Sequence, residues 1–159
     1  MKLAIASDHA GYRLKNNIVN YLAENHKEIE VCDFTKDYIK GDDYPEYAQK
    51  VAKAVTSGEC ARGIVICGTG MGISIAANKA PGIRAAACYT SRMAEISREH
   101  NDSNVLALGG RITACELAFD IVESWLNTEF SGCDRHKKRI EQIGNIEKEY
   151  KHNGTPIMG

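Results

Sequence analysis

Short apolar runs alternate along the chain with longer stretches in which apolar residues recur every three or four positions. The short runs are typical of buried strands, and the longer stretches indicate amphipathic helices. This alternation from end to end predicts an α/β fold with a parallel sheet. Five strands are predicted, over Lys2 to Ala6, Glu28 to Phe34, Gly63 to Cys67, Arg84 to Cys88 and Asn104 to Leu108.

Six helices are predicted between and after these strands. The residues that define them are, in chain order, Leu14, Ile18 and Leu22; Tyr47, Val51, Ala54 and Val55 after Pro45; a start near Gly72; the segment Ser91 to His100; Leu117, Ile121 and Trp125; and Ile140, Ile143, Ile146 and Tyr150 in a helix from about Arg135. We therefore expect one domain over residues 1–152, a three-layer, Rossmann-like sandwich around a five-stranded parallel sheet. Its C-terminal helix is expected to extend to a partner subunit, and residues 153–159 to form a loose tail.

Composition limits the classes of partner. The 159 residues are 43% hydrophobic and carry a formal charge of −1, which suits one globular domain and indicates neither a nucleic-acid nor a membrane partner. The N-terminal apolar run is too short for a signal peptide, so a cytoplasmic location with reduced cysteines is expected. The six cysteines show no metal-ligand spacing. No metal or cofactor is predicted.

Candidate chemistry lies where the predicted strands end, because parallel sheets bind ligands outside the carboxyl ends of their strands. The segments at those ends are Ser7 to His9, Gly68 to Ser74, Tyr89 and Thr90, and Gly109 to Arg111. The second contains three glycines at a strand-to-helix turn, so its backbone N–H groups can converge on an anion. Ile73 stands where a dinucleotide-binding loop has glycine, and a P-loop lysine is missing. Both observations disfavour nucleotide binding.

Cys67 directly precedes this glycine loop. A cysteine beside a helix N-terminus has its thiolate favoured, so Cys67 is a candidate base, although cysteine is also common as a small buried residue at a strand end. A thiol phosphatase would need a clamping arginine where Ile73 stands, which disfavours that activity. Arg111 follows two glycines after the fifth strand and is a candidate anion ligand.

Two further sets of residues have both a functional and a structural interpretation. Arg135 and Arg139 are four apart on one helix face, so they either hold a phosphate or form a solvated basic helix start, with His136, Lys137 and Lys138 adding to the positive patch. Asp8 and His9 are either site residues or a turn. His100 ends a helix that should carry it about 15 Å towards the amino ends of the sheet. A catalytic His100 would therefore enter the cleft of a partner in a symmetric dimer, and otherwise it is a helix C-cap.

Several blocks of the chain occur together, in this order, in one family. They are Ser7-Asp8-His9-Ala10-Gly11, Asp43-Tyr44-Pro45, Cys67 to Ser74 with Ala76 to Lys79, His100-Asn101-Asp102, Asn104 to Leu106, and Arg135-His136 through Arg139. Over about residues 1–150 the chain resembles the sugar-phosphate isomerases of type B, the ribose/galactose isomerase family. The resemblance implies metal-free interconversion of ribose 5-phosphate and ribulose 5-phosphate through an enediolate, in the non-oxidative pentose phosphate pathway. Isomerases of six-carbon sugar phosphates share the pattern and are the alternative.

The resemblance also implies roles for individual residues. Cys67 would shuttle the proton between the two sugar carbons, Thr69 and the backbone from Gly68 to Gly72 would stabilise the enediolate oxygen, and His100 would open the sugar ring. The other expected substrate-binding residues are Asp8 and Asn101 at the hydroxyls, His9, Arg111, Arg135 and Arg139 at the phosphate, and Tyr44, Gly68, Gly70, Met71, Gly72 and Ser74 around the cleft.

One departure from the family pattern lies before the last helix, where Gly132-Cys133-Asp134 is one residue longer than usual and leaves the pose of Arg135 open. The expected assembly is a homodimer with shared sites, and pairing into a tetramer is left open. A non-catalytic binder of small phosphates is the alternative from another class of protein. It would explain the glycine loop but not Cys67.

Overall fold

A computed structural model describes residues 1–152, so the predicted tail over residues 153–159 lies outside the described residues. The sheet has five parallel strands in the order β2-β1-β3-β5-β4. The strands are β1 (Lys2–Ser7), β2 (Glu30–Asp33), β3 (Arg62–Cys67), β4 (Ala85–Ala87) and β5 (Val105–Gly109). The predicted strands and their parallel arrangement are confirmed. The edge strands β2 and β4 are shorter than the predicted ranges.

Helices cover both faces of the sheet and complete the predicted three layers. They are α1 (Tyr12–Asn25), α2 (Tyr44–Thr56), α3 (Met71–Ala77), α4 (Ser91–Asn101), α5 (Cys115–Asn127) and α6 (Asp134–His152). One core packs α1, α4 and α5 against the sheet around Leu22 and Trp125, and the other packs α2 and α3 around Val51 and Ile73. The central strands β3 and β5 are buried on both faces, as their continuous apolar runs predict.

Two predicted apolar faces differ from the structure. Leu117 is 38% exposed, because the buried stripe of α5 is Ala118, Ile121, Val122 and Trp125, at the three- and four-residue spacing of a helix face. Leu117 is four residues before Ile121, as predicted, but it lies at the exposed margin of that helix face. On α6, Ile143 and Ile146 are exposed and enter neither core.

Helix α6 packs mainly near α4, and Glu147 accepts a hydrogen bond from the backbone N–H of Gly82 at 3.0 Å. Its extension to a partner subunit stays a prediction. Within residues 1–152, no helix combines the length and the apolar character that crossing a membrane requires.

Candidate active site

The loops that follow β1, β3 and β5 are pressed against one another at the carboxyl edge of the sheet. A Cβ added to Gly110 would lie 2.6 Å from the carbonyl oxygen of Ala10, so only glycine fits there. A Cβ on Gly68 would lie 3.5 Å from Cδ of Arg111. Arg111 therefore lies beside the glycine loop, where the sequence predicts an anion ligand.

Cys67 is the last residue of β3 and is only 4% exposed. Its Sγ accepts a hydrogen bond from the backbone N–H of Gly70 at 3.3 Å. Gly70 has a φ of +81°, in the left-handed region that favours glycine, and this conformation turns the loop back over the sulfur. Cys67 is thus both buried at a strand end and held at the glycine loop.

The backbone N–H groups of Gly68 and Thr69 make no hydrogen bond within residues 1–152. The hydroxyl of Thr69 accepts from the backbone N–H of Met71 at 3.4 Å. These donors stand at the mouth of the site directly after Cys67. Their arrangement suits stabilisation of negative charge that develops on a ligand oxygen.

Asp8 forms the turn that follows β1. Its Oδ1 accepts hydrogen bonds from the backbone N–H groups of Ala10 at 2.9 Å and Gly11 at 3.0 Å. Burial raises the pKa of Asp8 above its ordinary value, and the hydrogen bonds from Gly11 and Ala10 oppose only part of that rise. Asp8 therefore forms a turn, and because both bonds use Oδ1, Oδ2 makes no hydrogen bond within residues 1–152. The role of Asp8 in binding substrate stays a prediction.

His9 is held by Asp42, which no sequence pattern indicates as a site residue. The Oδ1 of Asp42 accepts the backbone N–H of His9 at 2.7 Å and lies 3.0 Å from its Nδ1. The other oxygen of Asp42 accepts the hydroxyl of Tyr47 at 2.6 Å. Asp42 is 33 positions from His9 in a polar loop, and no motif or periodicity indicates this contact.

Tyr44, at the start of α2, lines the glycine loop. A Cβ added to Gly72 would lie 2.8 Å from Cζ of Tyr44, so the ring rests on the backbone of the loop. Met71 is 55% exposed beside it. Ser74 is buried and its hydroxyl donates to the carbonyl of Met71 at 2.7 Å, which braces the first turn of α3. Its role in binding substrate stays a prediction.

The remaining predicted site residues form a second cluster at the amino ends of the strands, opposite the carboxyl ends where Cys67 lies. His100 and Asn101 end α4. Three residues later, the backbone carbonyl of Asn104 accepts a hydrogen bond from the backbone N–H of Gly63 at 2.9 Å. Gly63 lies four residues before Cys67 on β3, a separation of about 13 Å. The prediction that His100 lies far from Cys67 of the same chain is confirmed.

His136 joins His100 to the start of α6. Their ring centroids are 4.2 Å apart, Nδ1 of His136 lies 2.7 Å from Oγ of Ser131, and Nε of Arg135 donates to Nε2 of His136 at 3.1 Å. His136 is buried, and burial followed by the charges of His100 and Arg135 lowers its pKa. His136 therefore does not belong to the predicted positive patch. It is a neutral support for Arg135 and His100, whereas Arg135 and Arg139 are exposed.

Asp102 caps α4 in the left-handed conformation, with a φ of +45°. Its two carboxylate oxygens accept from Arg98 at 2.7 Å and from Arg84 at 2.9 Å. Arg84 also bonds the backbone carbonyls of Asn101 and Asp102. This pair of arginines fixes the helix end that carries His100 and Asn101, and no sequence pattern indicates that role.

Comparison with known proteins identifies the relatives of this chain. Residues 3–143 match the ribose/galactose isomerase family. Ribose-5-phosphate isomerase B of Escherichia coli is 49% identical over 147 residues, which are 92% of this chain and 97% of that protein. D-erythrulose-4-phosphate isomerase of Pectobacterium atrosepticum is 40% identical over 96% of this chain and 99% of its own length. The structure of Clostridium thermocellum ribose-5-phosphate isomerase B is 57% identical, with a TM-score of 0.91 over 94% of this chain and 99% of that one.

Proposed function

This chain belongs to the ribose/galactose isomerase family, and from that premise we propose that it interconverts D-ribose 5-phosphate and D-ribulose 5-phosphate. The observation that carries the proposal is the position of Cys67, which lies at a strand end against a glycine loop. In that loop the N–H groups of Gly68 and Thr69 make no hydrogen bond within residues 1–152. Two of the relatives compared above are ribose-5-phosphate isomerases of type B. The six-carbon alternative has no comparable support.

In the proposed reaction, Cys67 acts as a thiolate base on the open-chain sugar. It takes the proton from carbon 2, and the electron pair of that C–H bond forms the double bond of the enediolate while the carbonyl oxygen on carbon 1 gains negative charge. The same thiol then returns the proton to carbon 1, and the hydroxyl proton of carbon 2 moves to the oxygen on carbon 1. The reaction is redox-neutral within one molecule, so no metal or cofactor is assigned a role.

The loop after Cys67 would stabilise the negative charge of this intermediate. The N–H groups of Gly68 and Thr69 have no competing acceptor within residues 1–152, so they are available to the enediolate oxygen. Such a preorganised donor typically contributes about 3 kcal/mol to transition-state stabilisation. Oδ2 of Asp8 would orient a sugar hydroxyl, because Oδ1 is already used by the turn.

We propose further that each complete site is shared between two subunits of a symmetric homodimer. The cluster of His100, Asn101, Arg135 and Arg139 lies at the sheet edge opposite Cys67, too far to reach a sugar bound there in the same chain. A second copy would bring these residues to the cleft, where His100 of the partner subunit would open the ring. His9 and Arg111 of one chain, with the two arginines of the other, would hold the phosphate.

The test is turnover of ribose 5-phosphate by the purified protein, compared with a Cys67→Ala variant and with Cys32→Ala as the matched control. Cys32 is a half-buried cysteine in the edge strand β2. We expect Cys67→Ala to lose about 10² to 10⁴ in rate, the usual contribution of a positioned base, and Cys32→Ala to retain its rate.

Three outcomes would contradict parts of this proposal. Full activity of Cys67→Ala would exclude the thiol as the base. An inactive wild type that turns over allose 6-phosphate, galactose 6-phosphate or D-erythrulose 4-phosphate would correct the substrate. Tight binding of all these sugar phosphates without turnover would instead support a non-catalytic phosphate binder.

A further inference from the structure

Asp42 makes three hydrogen-bonding contacts although it lies outside the sequence blocks shared with the family. Its Oδ1 meets both the backbone N–H and Nδ1 of His9, and its Oδ2 accepts the hydroxyl of Tyr47. Burial alone would raise the pKa of Asp42, but the hydrogen bonds from Tyr47 and His9 outweigh that effect and lower it. Asp42 is therefore an ionised carboxylate, which can only accept hydrogen bonds.

An acceptor at Nδ1 determines where the proton of His9 lies. Because Oδ1 of Asp42 cannot donate, Nδ1 of His9 must carry a proton, and Nε2 is the nitrogen that remains for a ligand. Phosphate oxygens only accept hydrogen bonds, so Nε2 can bind a phosphate only when it also carries a proton, as in the doubly protonated ring. The backbone bond to the same oxygen fixes the main chain of His9 as well. The His9 side chain is 28% exposed and that of Asp42 only 10%, so the histidine faces the solvent side of this pair.

We propose that Asp42 is a positioning residue of this site, which accepts Nδ1–H of His9 and holds the ring so that Nε2–H of the doubly protonated imidazole donates to the phosphate of the sugar. This inference rests on the proposed function, in which His9 contacts that phosphate. Asp42 does not touch the substrate and acts through His9. Tyr47 supports the carboxylate from the other side.

The direction in which substrate binding changes when Asp42 is removed distinguishes this positioning role from charge repulsion alone. A carboxylate near a phosphate repels it, so a general charge effect predicts that removal of Asp42 strengthens substrate binding. The positioning role predicts the reverse, because a His9 ring that is no longer held loses its contact. The neighbouring Asp43 provides a matched control, since it is exposed and its side chain makes no hydrogen bond within residues 1–152.

The kinetic test compares KM and kcat for ribose 5-phosphate in Asp42→Ala, Asp42→Asn and Asp43→Ala. Asp42→Ala should raise KM about tenfold, the usual effect of losing one hydrogen bond to a charged group, while kcat changes little because the phosphate is remote from the reacting carbons. Asp42→Asn keeps an oxygen acceptor and should recover part of the loss. Asp43→Ala should match the wild type. An unchanged or lower KM in Asp42→Ala would overturn the proposal.

A spectroscopic measurement covers the case in which Asp42→Ala folds poorly because the Tyr47 hydroxyl has lost its acceptor. The imidazole ¹⁵N shifts of His9 in the wild type, assigned with a His9→Gln variant, report which ring nitrogen carries the proton. We expect Nδ1 to carry a proton whether the ring has one proton or two, and an Nδ1 without a proton would refute the inference. This measurement needs no turnover, so it remains decisive even if ribose 5-phosphate is not the substrate and the proposed function fails.

Discussion

Single glycines at the carboxyl edge allow the loops of the site to approach as closely as they do. A Cβ on Gly110 would lie 2.6 Å from the carbonyl oxygen of Ala10 and 2.8 Å from Cα of Gly11, and both are backbone atoms that cannot rotate away. A Cβ on Gly68 would meet its nearest neighbours, atoms of Arg111, at an ordinary distance of 3.5 Å. The two glycines therefore differ in what they tolerate, although both lie in the same cleft.

We predict that Gly110→Ala destabilises the protein by about 3 kcal/mol, because the loop after β1 must shift, whereas Gly68→Ala costs less than about 1 kcal/mol. The free energy of unfolding from denaturant titration, measured on both variants and the wild type, checks this prediction. Equal losses for the two substitutions would mean that the close approach at Gly110 is relaxed without cost.

At the residue scale, the sequence predicts reactive groups better than the residues that support them. Cys67 and Arg111 were identifiable because each lies beside glycines at the end of a strand. The order of the strands and loops along the chain is enough to place such residues at the carboxyl ends of the sheet. Asp42 and His136 were not identifiable as supports, because their partners are chosen by tertiary contacts. The burial of His136 in particular contradicts the appearance of its basic neighbours in the sequence.

At the scale of elements, the spacing of apolar residues was sufficient to predict each strand or helix that is buried within its own chain. The strands β3 and β5 were predicted from continuous apolar runs, and α2 from a proline at its start and regularly spaced apolar residues. Periodicity did not indicate that Leu117 on α5 is exposed, or what covers the apolar side of α6. An apolar stripe shows that a surface can be buried but does not show what buries it.

A charged cluster joins the end of α1 to α5. His26, at the C-terminal end of α1, contacts Glu123 of α5 through Nε2 and Glu28 through Nδ1 at 3.1 Å. The hydrogen bond with Glu123 is the main reason that the pKa of His26 is raised above its ordinary value. The cluster lies away from the proposed active site, so its effect should be on stability alone.

Because the folded protein raises the pKa of His26, the stabilisation is complete below the pKa of the unfolded chain, about 6.5, and disappears as the pH rises through the folded value. We predict that His26→Gln is less stable than the wild type by about 1 kcal/mol at pH 6 and nearly equal to it at pH 9. Denaturant midpoints at the two pH values check this. Asn127→Ala, which removes a neutral donor to Glu123, should show a loss that does not change with pH. A similar change in that control would mean that His26 is not the titrating group.

At the scale of the whole molecule, the sheet separates two groups of residues that the proposed mechanism requires together. The sequence predicted this separation from the direction of α4 alone, since a helix that returns from a strand end must finish at the amino edge. Neither the sequence nor a single chain determines how a second subunit would be placed. The exposed apolar residues of α6, next to Arg135 and Arg139, are the surface from which such pairing would be expected.

Mixing two inactive variants tests the shared site directly. A dimer of one Cys67→Ala chain and one His100→Asn chain has one site with both substitutions and one site with neither. Random pairing makes about half of the dimers mixed, so about a quarter of the wild-type activity should return when the chains are refolded together. Each variant refolded alone is the control and should stay inactive. If each site used His100 of its own chain, every site in the mixture would lack one group, and no activity would return.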